Sequence, residues 1–437
     1  MSRARYVAYL GGSFAVGVFS AFNNFTLTLW LATFTTSYLV LGLMGNTRSF
    51  EGALISPTVG VWSDRVWAGW LGRRRAFILV GGLLSALLLA LTPAVSRWPL
   101  PPALASLPPE ARALALPVAV IFLFTVTFNS MDDIHKALLV DVTTEEQRNG
   151  LSAWSVVVMM AGQVGILLLG FALWRDGVPD SAFVITGALM AAGVLLCVVG
   201  VREPPPAAWA ADRAREATLE GPHPSGFTLL RAYRGAALFC VVAFAYWSGV
   251  NAVLPLVSVY TVDILGASVG EAQLLPSLML LSTTLVALPM ARLGDRYGKR
   301  RVIGAGYAVM GVAALLALVI TTREQGALVF LLAGVGNGAS LVLTVPLLAD
   351  LVPRPHVGAA TGLLAASGSV AAPFATLLAG HLADLYGPRA IFAFMAAMIG
   401  VALVVLPAVR PPAALDAPAA APADTPGAQP LEALSHE

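Results

Sequence analysis

Residues 293–301 read Leu-Gly-Asp-Arg-Tyr-Gly-Lys-Arg-Arg and connect two long apolar runs. A related stretch occurs earlier, where Gly-Val-Trp-Ser-Asp-Arg at residues 60–65 is followed by Gly-Arg-Arg-Arg at residues 72–75. In both places an acid and an arginine precede a glycine and a basic cluster. Two copies of one loop at equivalent positions indicate an internal duplication, so we expect two related halves.

Shorter echoes support the duplication. Residues 138–141 read Leu-Leu-Val-Asp and residues 347–350 read Leu-Leu-Ala-Asp, while residues 380–387 repeat the loop pattern as Gly-His-Leu-Ala-Asp-Leu-Tyr-Gly. The acid of such a loop can pair with the basic cluster or cap the N-terminus of a neighbouring helix. We therefore predict that these loops latch one face of a helical assembly. A plain positively charged loop is the alternative.

The composition indicates a protein that lies in a lipid bilayer. Of the 437 residues 58% are apolar and 11% are charged, against about 25% charged in a typical soluble domain. A spanning helix needs about 20 mostly apolar residues. We predict an all-α membrane protein with about twelve such spans, at residues 6–32, 38–62, 76–96, 116–140, 150–174, 180–201, 236–261, 271–293, 301–321, 327–350, 358–382 and 389–409.

Changes in composition divide the chain into four parts. A six-helix half over residues 1–201 is followed by a charged, Pro-rich linker over residues 202–235. A second six-helix half covers residues 236–409. Residues 410–437 are rich in Pro and Ala and cannot bury a core, which predicts a disordered tail.

The basic residues predict the orientation in the membrane. If the N-terminus is cytoplasmic, 20 of the 26 Lys and Arg residues fall in cytoplasmic segments and five in outer loops. Such a bias places both termini in the cytoplasm of a multi-pass protein of the cell membrane. The net charge of +2 is too small to indicate nucleic acid as a partner. We expect a monomer, because the site would lie within one chain.

The repeated loop resembles the signature of the major facilitator superfamily, and the resemblance covers residues 6–409. It implies two pseudo-symmetric six-helix bundles that transport a solute by alternating access. The first copy, with its six-residue insertion, is similar to the sucrose and glycoside–cation symporter branch. Pro57-Thr-Val-Gly60 and Lys136-Ala-Leu-Leu-Val-Asp141 fit the same branch. The branch implies a sugar or glycoside carried with a proton or sodium ion and no other cofactor.

Neither coupling site of that branch is reproduced intact. Thr125 stands where its sucrose transporters carry an acidic proton acceptor. Arg48-Ser-Phe-Glu51 resembles the Arg-x-x-Asp of its sodium-linked members, but Ser56 replaces their second Asp and the spacing differs by one residue. The identity of the coupling ion, proton or sodium, therefore stays open.

Ionisable residues at membrane depth are candidates for coupling or substrate binding. Arg48 and Glu51 share one helix face in the second span, where protonation of Glu51 would release Arg48; a fixed ion pair is the alternative. The fourth span ends in a polar cluster that suits a proton relay, substrate hydroxyls or a gate. Its members are Asn129, Asp132, Asp133, His135 and Lys136.

Amides and one aromatic residue near mid-span suit sugar hydroxyls and ring faces, with interhelical hydrogen bonds and packing as the alternatives. These candidates are Asn23, Asn24, Gln163, Trp247, Asn251 and Asn337. The loop signature supplies a second set, a predicted cytoplasmic gate. That gate comprises Asp64, Arg65, Arg73, Arg74, Lys136, Asp141, Asp295, Arg296, Arg300 and Asp350.

Other function classes fit the sequence less well. An enzyme needs a nucleophile, base or metal set, and the chain has no Gly-x-Ser-x-Gly, no His-Glu-x-x-His and only two separated cysteines. We therefore expect a transporter, not an enzyme. The leading hypothesis is a cation-coupled sugar or glycoside symporter; the alternative is a proton-coupled antiporter that exports drugs or metabolites. A neutral polar cavity would favour sugar, whereas an acidic cavity with large apolar walls would favour cationic drugs.

Overall fold

The computed structural model describes residues 2–47, 59, 62–63, 66–204, 226–353 and 356–410, and this part of the chain contains helices and no strand. We number the long helices so that each half contributes six. The first half contains α1 (Arg3–Leu31), α2 (Tyr38–Gly45), α3 (Arg74–Val95), α4 (Pro109–Val142), α5 (Glu145–Leu173) and α6 (Asp180–Gly200). The second contains α7 (Arg234–Val253), α8 (Glu271–Tyr297), α9 (Lys299–Ala317), α10 (Arg323–Ala349), α11 (Val357–Tyr386) and α12 (Ala390–Val405).

These helices fit a bilayer in length and in surface. Among the described residues, eleven helices are long and apolar enough to cross a membrane, α2 being described only over its first turns. Large apolar side chains are exposed on the outside of the bundle, including Leu84, Val199, Leu285 and Val404. Exposed apolar surface on this scale is unfavourable in water, whereas lipid tails cover it.

The packing of the helices repeats with an offset of six. In the first half α1 packs on α5 and α6, and α3 packs on α4 and α6. In the second half α7 packs on α11 and α12, and α9 packs on α10 and α12. Between the halves, α2 packs extensively on α11 and α5 packs extensively on α8. These two pairs are equivalent, because α8 is the counterpart of α2 and α11 is the counterpart of α5. The predicted pair of pseudo-symmetric six-helix bundles is therefore confirmed.

Glycines allow the helices of one half to approach closely. A Cβ atom on Gly17 of α1 would lie 2.0 Å from the carbonyl oxygen of Met159 on α5. Gly162, one turn further along α5, packs in the same way on the backbone of α1. Lipid provides no hydrophobic driving force for helix association, so helices in a membrane associate through close van der Waals packing. Small residues at the crossing points allow this packing.

Two irregularities interrupt the helices of the bundle. Residues Phe22–Thr26 of α1 form a π-helical stretch, a local widening that is frequent at functional sites. The predicted seventh span is broken after Val253, because Pro255 has no backbone N–H to donate, and it resumes at Val257–Leu265.

The remaining differences concern the ends of the predicted segments. The fourth span is longer than predicted, since α4 begins at Pro109. The predicted linker over residues 202–235 contains a short helix, Gly226–Ala232, and α7 already begins at Arg234. The predicted tail, apart from Arg410, lies outside the described residues.

Candidate functional site

The two halves are joined at one face of the bundle. This face carries the start of α2 and the C-terminal ends of α1 and α11. We call the other end of the bundle, which carries Arg73, Lys299 and Arg410, the basic face. The face with the start of α2 is then called the opposite face. The carboxylate of Asp384 on α11 accepts hydrogen bonds from the Ser37 hydroxyl at 2.8 Å and from the backbone N–H of Tyr38 at 2.6 Å and of Leu39 at 3.3 Å. Asp384 thus caps the N-terminus of α2 across the boundary between the halves.

Further bonds between the halves lie near this face. The Tyr38 hydroxyl donates to the Asp263 carboxylate. Below it, the Asn46 amide donates to the backbone carbonyl of Asn251 at 3.1 Å and to the Thr376 hydroxyl. The halves also make an apolar contact here: a Cβ atom on Gly45 would lie 2.5 Å from the Cβ of Pro255.

Near the C-terminal end of α1, the Thr26 hydroxyl donates to Oε1 of the fully buried Gln273 on α8 at 2.8 Å. On the basic face, by contrast, the hydrogen bonds and ion pairs found among the described residues stay within one half. Among the described residues, the hydrogen bonds between the halves thus lie towards the opposite face.

The polar cluster of α4 lies towards the basic face. The Lys136 ammonium is 3.0 Å from the Asp132 carboxylate and 3.7 Å from that of Asp133. The Asp132 side chain is only 5% exposed, whereas that of Lys136 is 65% exposed. Asn129, one turn earlier, is buried. These pairs have the i,i+4 and i,i+3 spacing of the sequence, and the predicted role of Lys136 in a cytoplasmic gate stays a prediction.

His135 is fixed in the first half. Its ring stacks on Tyr9 of α1 with the centroids 4.3 Å apart, and its Nε2 lies 3.1 Å from the Tyr9 carbonyl oxygen. The Tyr9 hydroxyl in turn donates to the His135 carbonyl at 3.0 Å. A Cβ atom on Gly12 would lie 2.4 Å from the imidazole. This arrangement fits a clamp between α1 and α4 better than a mobile proton relay.

The mid-span amides of the first half differ in their surroundings. The Asn23 amide nitrogen donates to the Gly45 carbonyl at 3.3 Å, and its buried Oδ1 finds no hydrogen-bond partner among the described residues. Asn24, the next residue of the π-helical stretch, is half-buried. Gln163 on α5 is also half-buried, and no bond of its side chain is found among the described residues.

The second half presents an aromatic platform on α7. Trp247 is 38% exposed and lies beside Gly368 of α11. Asn251 follows four residues later on the same face, and its amide donates to the Trp247 carbonyl at 2.8 Å. Asn337 on α10 belongs to a separate, more buried network.

The first half carries a charged cluster on the basic face. The Arg73 guanidinium lies 2.6 Å and that of Arg74 3.0 Å from the Asp141 carboxylate. Glu203, just after α6, accepts the backbone N–H groups of Arg73, Arg74 and Arg75 at 2.9, 2.9 and 2.7 Å. Glu203 therefore caps α3. We did not predict this role, although an acid follows the sixth span directly and α3 begins without a side-chain cap of its own.

The second half repeats this cluster in simpler form. Asp350 at the end of α10 accepts from the Lys299 ammonium at 2.7 Å, as Asp141 accepts from Arg73. The Arg300 guanidinium donates to a backbone carbonyl that follows α12. Asp295 and Arg296 are exposed, and the Arg296 guanidinium lies 5.3 Å from the Tyr297 ring centroid. In each half the basic cluster thus pairs with the acid at the end of α4 or α10, and the predicted pairing by the loop acids Asp64 and Asp295 stays a prediction.

Four predicted site residues lie outside the described residues: Arg48, Glu51, Asp64 and Arg65. Their predicted roles in coupling and gating stay predictions. The sequence reasoning missed the cluster at the opposite face. Asp384 had been noted only as part of an echoed loop, and the roles of Tyr38 and Asp263 had no signal in the pattern.

A small apolar pocket, with a cavity volume of about 40 Å³, lies in the second half between α7, α8, α9, α10 and α12. Its walls are aliphatic and aromatic, and Asn337 is the polar residue among them. Phe25 of α1 is the wall residue that comes from the first half. The described residues that line this pocket include no carboxylate.

Comparison with known proteins adds a family. Residues 9–264 and residues 239–436 each match the family model described as Major Facilitator Superfamily. An MFS-type transporter of Methanocaldococcus jannaschii, MJ1560, is 25% identical over 35% of this chain and 40% of its own length. The chain thus spans less than half the length of that relative. A gentisate transporter of Corynebacterium glutamicum is 27% identical over 79% of this chain and 73% of its own length.

The fold has close counterparts among solved structures. The crystal structure of a D-xylose–proton symporter superposes with a TM-score of 0.70 at 14% identity, covering 92% of this chain and 96% of that one. Identity this low supports the fold alone. The family and the matched proteins are transporters, so the expectation that the chain is not an enzyme is confirmed. Two family matches that together cover most of the chain, on a helical fold in two halves, establish that it belongs to the Major Facilitator Superfamily.

Proposed function

We propose that this chain moves a small solute across the cell membrane by alternating access. In this mechanism two bundles rock about a central site, which opens to one face at a time. One observation carries the proposal: among the described residues, the hydrogen bonds between the halves lie towards the opposite face. Those bonds must break for the opposite face to open.

The basic face is the cytoplasmic face in this proposal, with both termini on that side. The basis is the excess of Lys and Arg in the segments that reach it. The structure then corresponds to a state closed towards the outside. The central site would lie within one chain, so we propose that a monomer transports.

For the cargo, we propose a sugar or glycoside carried together with a proton or sodium ion. The partly exposed Trp247 ring supports this proposal, because a flat aromatic surface suits the apolar face of a sugar ring. Asn251 on the same helix face adds an amide for hydroxyl groups. The aspartates beside Lys136, and Arg48 with Glu51 in the second span, are the proposed coupling groups.

A second candidate is export of an organic metabolite or drug by proton antiport. The apolar pocket of the second half favours it, since sugar hydroxyls buried there without partners would each cost about 1–3 kcal/mol. The resemblance to a gentisate transporter favours a non-sugar cargo as well. The pocket lacks carboxylates, so it does not specifically favour cationic drugs.

Transport into proteoliposomes separates the candidates. The purified protein is reconstituted, and uptake of a labelled disaccharide is measured under an inward proton or sodium gradient. We expect accumulation under one of these gradients, loss of accumulation in Glu51→Gln, and full activity in the control Glu324→Gln, whose side chain is exposed at the start of α10. Absence of sugar uptake under both gradients, together with proton-driven extrusion of an aromatic metabolite, would contradict the symporter hypothesis and support the antiporter hypothesis.

A further inference from the structure

A short insertion at the basic face carries exposed tryptophans. Residues 66–71 read Val-Trp-Ala-Gly-Trp-Leu and lie inside the first copy of the repeated loop, whereas the second copy has no such insertion. Trp70 is 77% exposed and Trp67 is 38% exposed. Two neighbouring indole rings that face outwards form an apolar surface, and such a surface is more typical of an interaction site than scattered single residues are.

The insertion has a defined conformation. The backbone N–H of Ala68 donates to the Gly72 carbonyl at 2.9 Å, which closes the loop. The Trp67 indole N–H donates to the Gly69 carbonyl at 3.0 Å and holds this ring against the loop. The indole N–H of Trp70 finds no hydrogen-bond partner among the described residues. The loop therefore presents one indole donor to its surroundings.

Arg75 places the insertion over the lipid-facing edge of the first half. Its buried guanidinium donates to the Trp70 carbonyl and, at 3.0 Å, to the carbonyl of Val198 near the end of α6. The next residue of α6, Val199, is 72% exposed. The extensive contacts of α3 and α6 are with helices of the first half, so the outward side of these helices faces lipid.

The depth of the insertion in the membrane follows from α3. This helix has 22 residues, Arg74–Val95, which at about 1.5 Å per residue matches the hydrocarbon core of roughly 30 Å. Leu71 ends the insertion just before the helix begins, so the loop lies at the headgroup layer of one leaflet. Trp98, just after the helix, is 62% exposed and marks the other boundary. Tryptophan is enriched at both boundaries of membrane proteins, because its ring is apolar and its N–H is polar.

Charge contributes little to this surface. Arg73, Arg74 and Arg75, which follow the insertion, are at most 9% exposed. The first two pair with the Asp141 carboxylate. Guanidinium groups that are buried and already paired are not available to lipid phosphates, so the indole rings are the groups that this loop offers to lipid.

We propose that residues 66–71 are a membrane anchor. Trp67 and Trp70 bind in the headgroup layer of the leaflet at the basic face, and the Trp70 indole N–H donates to a phosphate or ester oxygen of a phospholipid. The anchor does not require anionic lipids. Because the matching loop of the second half lacks the insertion, the contact ties the first half to the leaflet. It does so whatever solute the chain transports.

A spin label at Val66→Cys measures the depth of the loop while both tryptophans stay in place. Val66 is 38% exposed and adjoins Trp67. The full-length protein, with Cys197 and Cys240 replaced by serine, is placed in phosphatidylcholine nanodiscs. Power saturation then gives the collision rates with oxygen, which concentrates in lipid, and with a water-soluble nickel chelate. We expect an oxygen-to-nickel ratio between that of Val80→Cys, on the lipid-facing side of α3, and that of the label in water.

Removal of the rings tests their role in holding the loop. With Trp67→Ser and Trp70→Ser together, the ratio at Val66→Cys should fall at least threefold, because the loop leaves the lipid. The matched control is Trp98→Ser, which removes an exposed tryptophan at the other boundary and should leave the ratio unchanged. Trp70→Ser alone keeps the bond from Trp67 to Gly69, so it should lower the ratio even if the double variant folds poorly.

Nanodiscs with one third phosphatidylglycerol separate an aromatic anchor from an electrostatic one. We expect the same ratio at Val66→Cys in both kinds of lipid. A ratio like that of the label in water, or an unchanged ratio in the folded variants without the rings, would overturn the proposal. A ratio that rises only with phosphatidylglycerol would also overturn it, because the contact would then depend on charge. Failure of sugar transport alone would leave the anchor intact.

Discussion

Replacing Asp384 by asparagine tests the closure of the opposite face. The Asp384 carboxylate accepts three hydrogen bonds from the first turn of α2, two of them from backbone N–H groups. The substitution keeps the shape of the side chain and one acceptor oxygen but removes the negative charge that favours a helix N-terminus. It therefore weakens a contact between the halves and should leave the packing within each half unchanged.

The size of the effect follows from the kind of contact. A charge at a helix N-terminus contributes about 0.3–1 kcal/mol, and a side-chain cap contributes about 1 kcal/mol. Asp384 is exposed, so water screens its charge and we take about 1 kcal/mol for the whole substitution. A free-energy change of this size shifts the equilibrium between closed and open states about fivefold.

Reaction of an introduced thiol measures this shift. Thr376→Cys places the thiol on α11 at a position that is buried between the halves, in a background in which Cys197 and Cys240 are replaced by serine. The labelling rate by a membrane-impermeant maleimide then reports how often the opposite face opens. We expect Asp384→Asn to raise this rate about fivefold.

The control for this experiment is Asp180→Asn. Asp180 is also exposed, and it pairs with Arg97 of its own half at 2.7 Å. The substitution removes a carboxylate near the same face without touching a bond between the halves, so it should leave the labelling rate unchanged. Equal labelling rates for Asp384→Asn and the parent protein would refute the latch at Asp384.

Three other substitutions test packing, capping and substrate contact. Gly17→Ala should lower the free energy of unfolding by about 1–3 kcal/mol, measured by thermal melting of the purified protein, because its Cβ would collide with the backbone of α5. The control Gly165→Ala, at a position that faces open space, should leave the melting temperature unchanged. Glu203→Ala should destabilise the protein by about 1–2 kcal/mol in the same melting assay, since it uncaps α3, and an unchanged melting temperature would contradict that role. Trp247→Ala should reduce sugar uptake by proteoliposomes at least tenfold with normal folding, and undiminished uptake would remove the aromatic platform from the proposed site.

The duplication made much of the fold predictable. The repeated loop and the matching ends of the fourth and tenth spans anticipated that Asp141 and Asp350 occupy equivalent places, and each carboxylate indeed meets the basic start of a helix in its own half. Hydropathy anticipated the spans, because a helix in lipid must satisfy its backbone internally and remain apolar for about 20 residues. Neither signal marks the break at Pro255, since proline also occurs within α8 and α11 without ending them.

The contacts between the halves could not be predicted in this way. Asp384 and Tyr38 are 346 positions apart in sequence, and under the proposed alternating access they meet only in the state closed at the opposite face. Which face is closed is a property of a conformational state, and a single sequence serves all states. The apolar pocket could not be predicted from the sequence for another reason. Its lining residues, such as Met310 and Val329, are of the same types as the residues on any lipid-facing helix surface.

Distances between the halves test alternating access most directly. One pair of spin labels, at the exposed positions Trp70 and Tyr297, spans the basic face, and a second pair, at Trp98 and Tyr386, spans the opposite face. Pulsed electron resonance in nanodiscs measures both distances for the parent protein and for Asp384→Asn. We expect that the distance across the opposite face lengthens in part of the population while the distance across the basic face shortens. If both distances stay fixed, or if both lengthen together, the two halves do not rock about a central site.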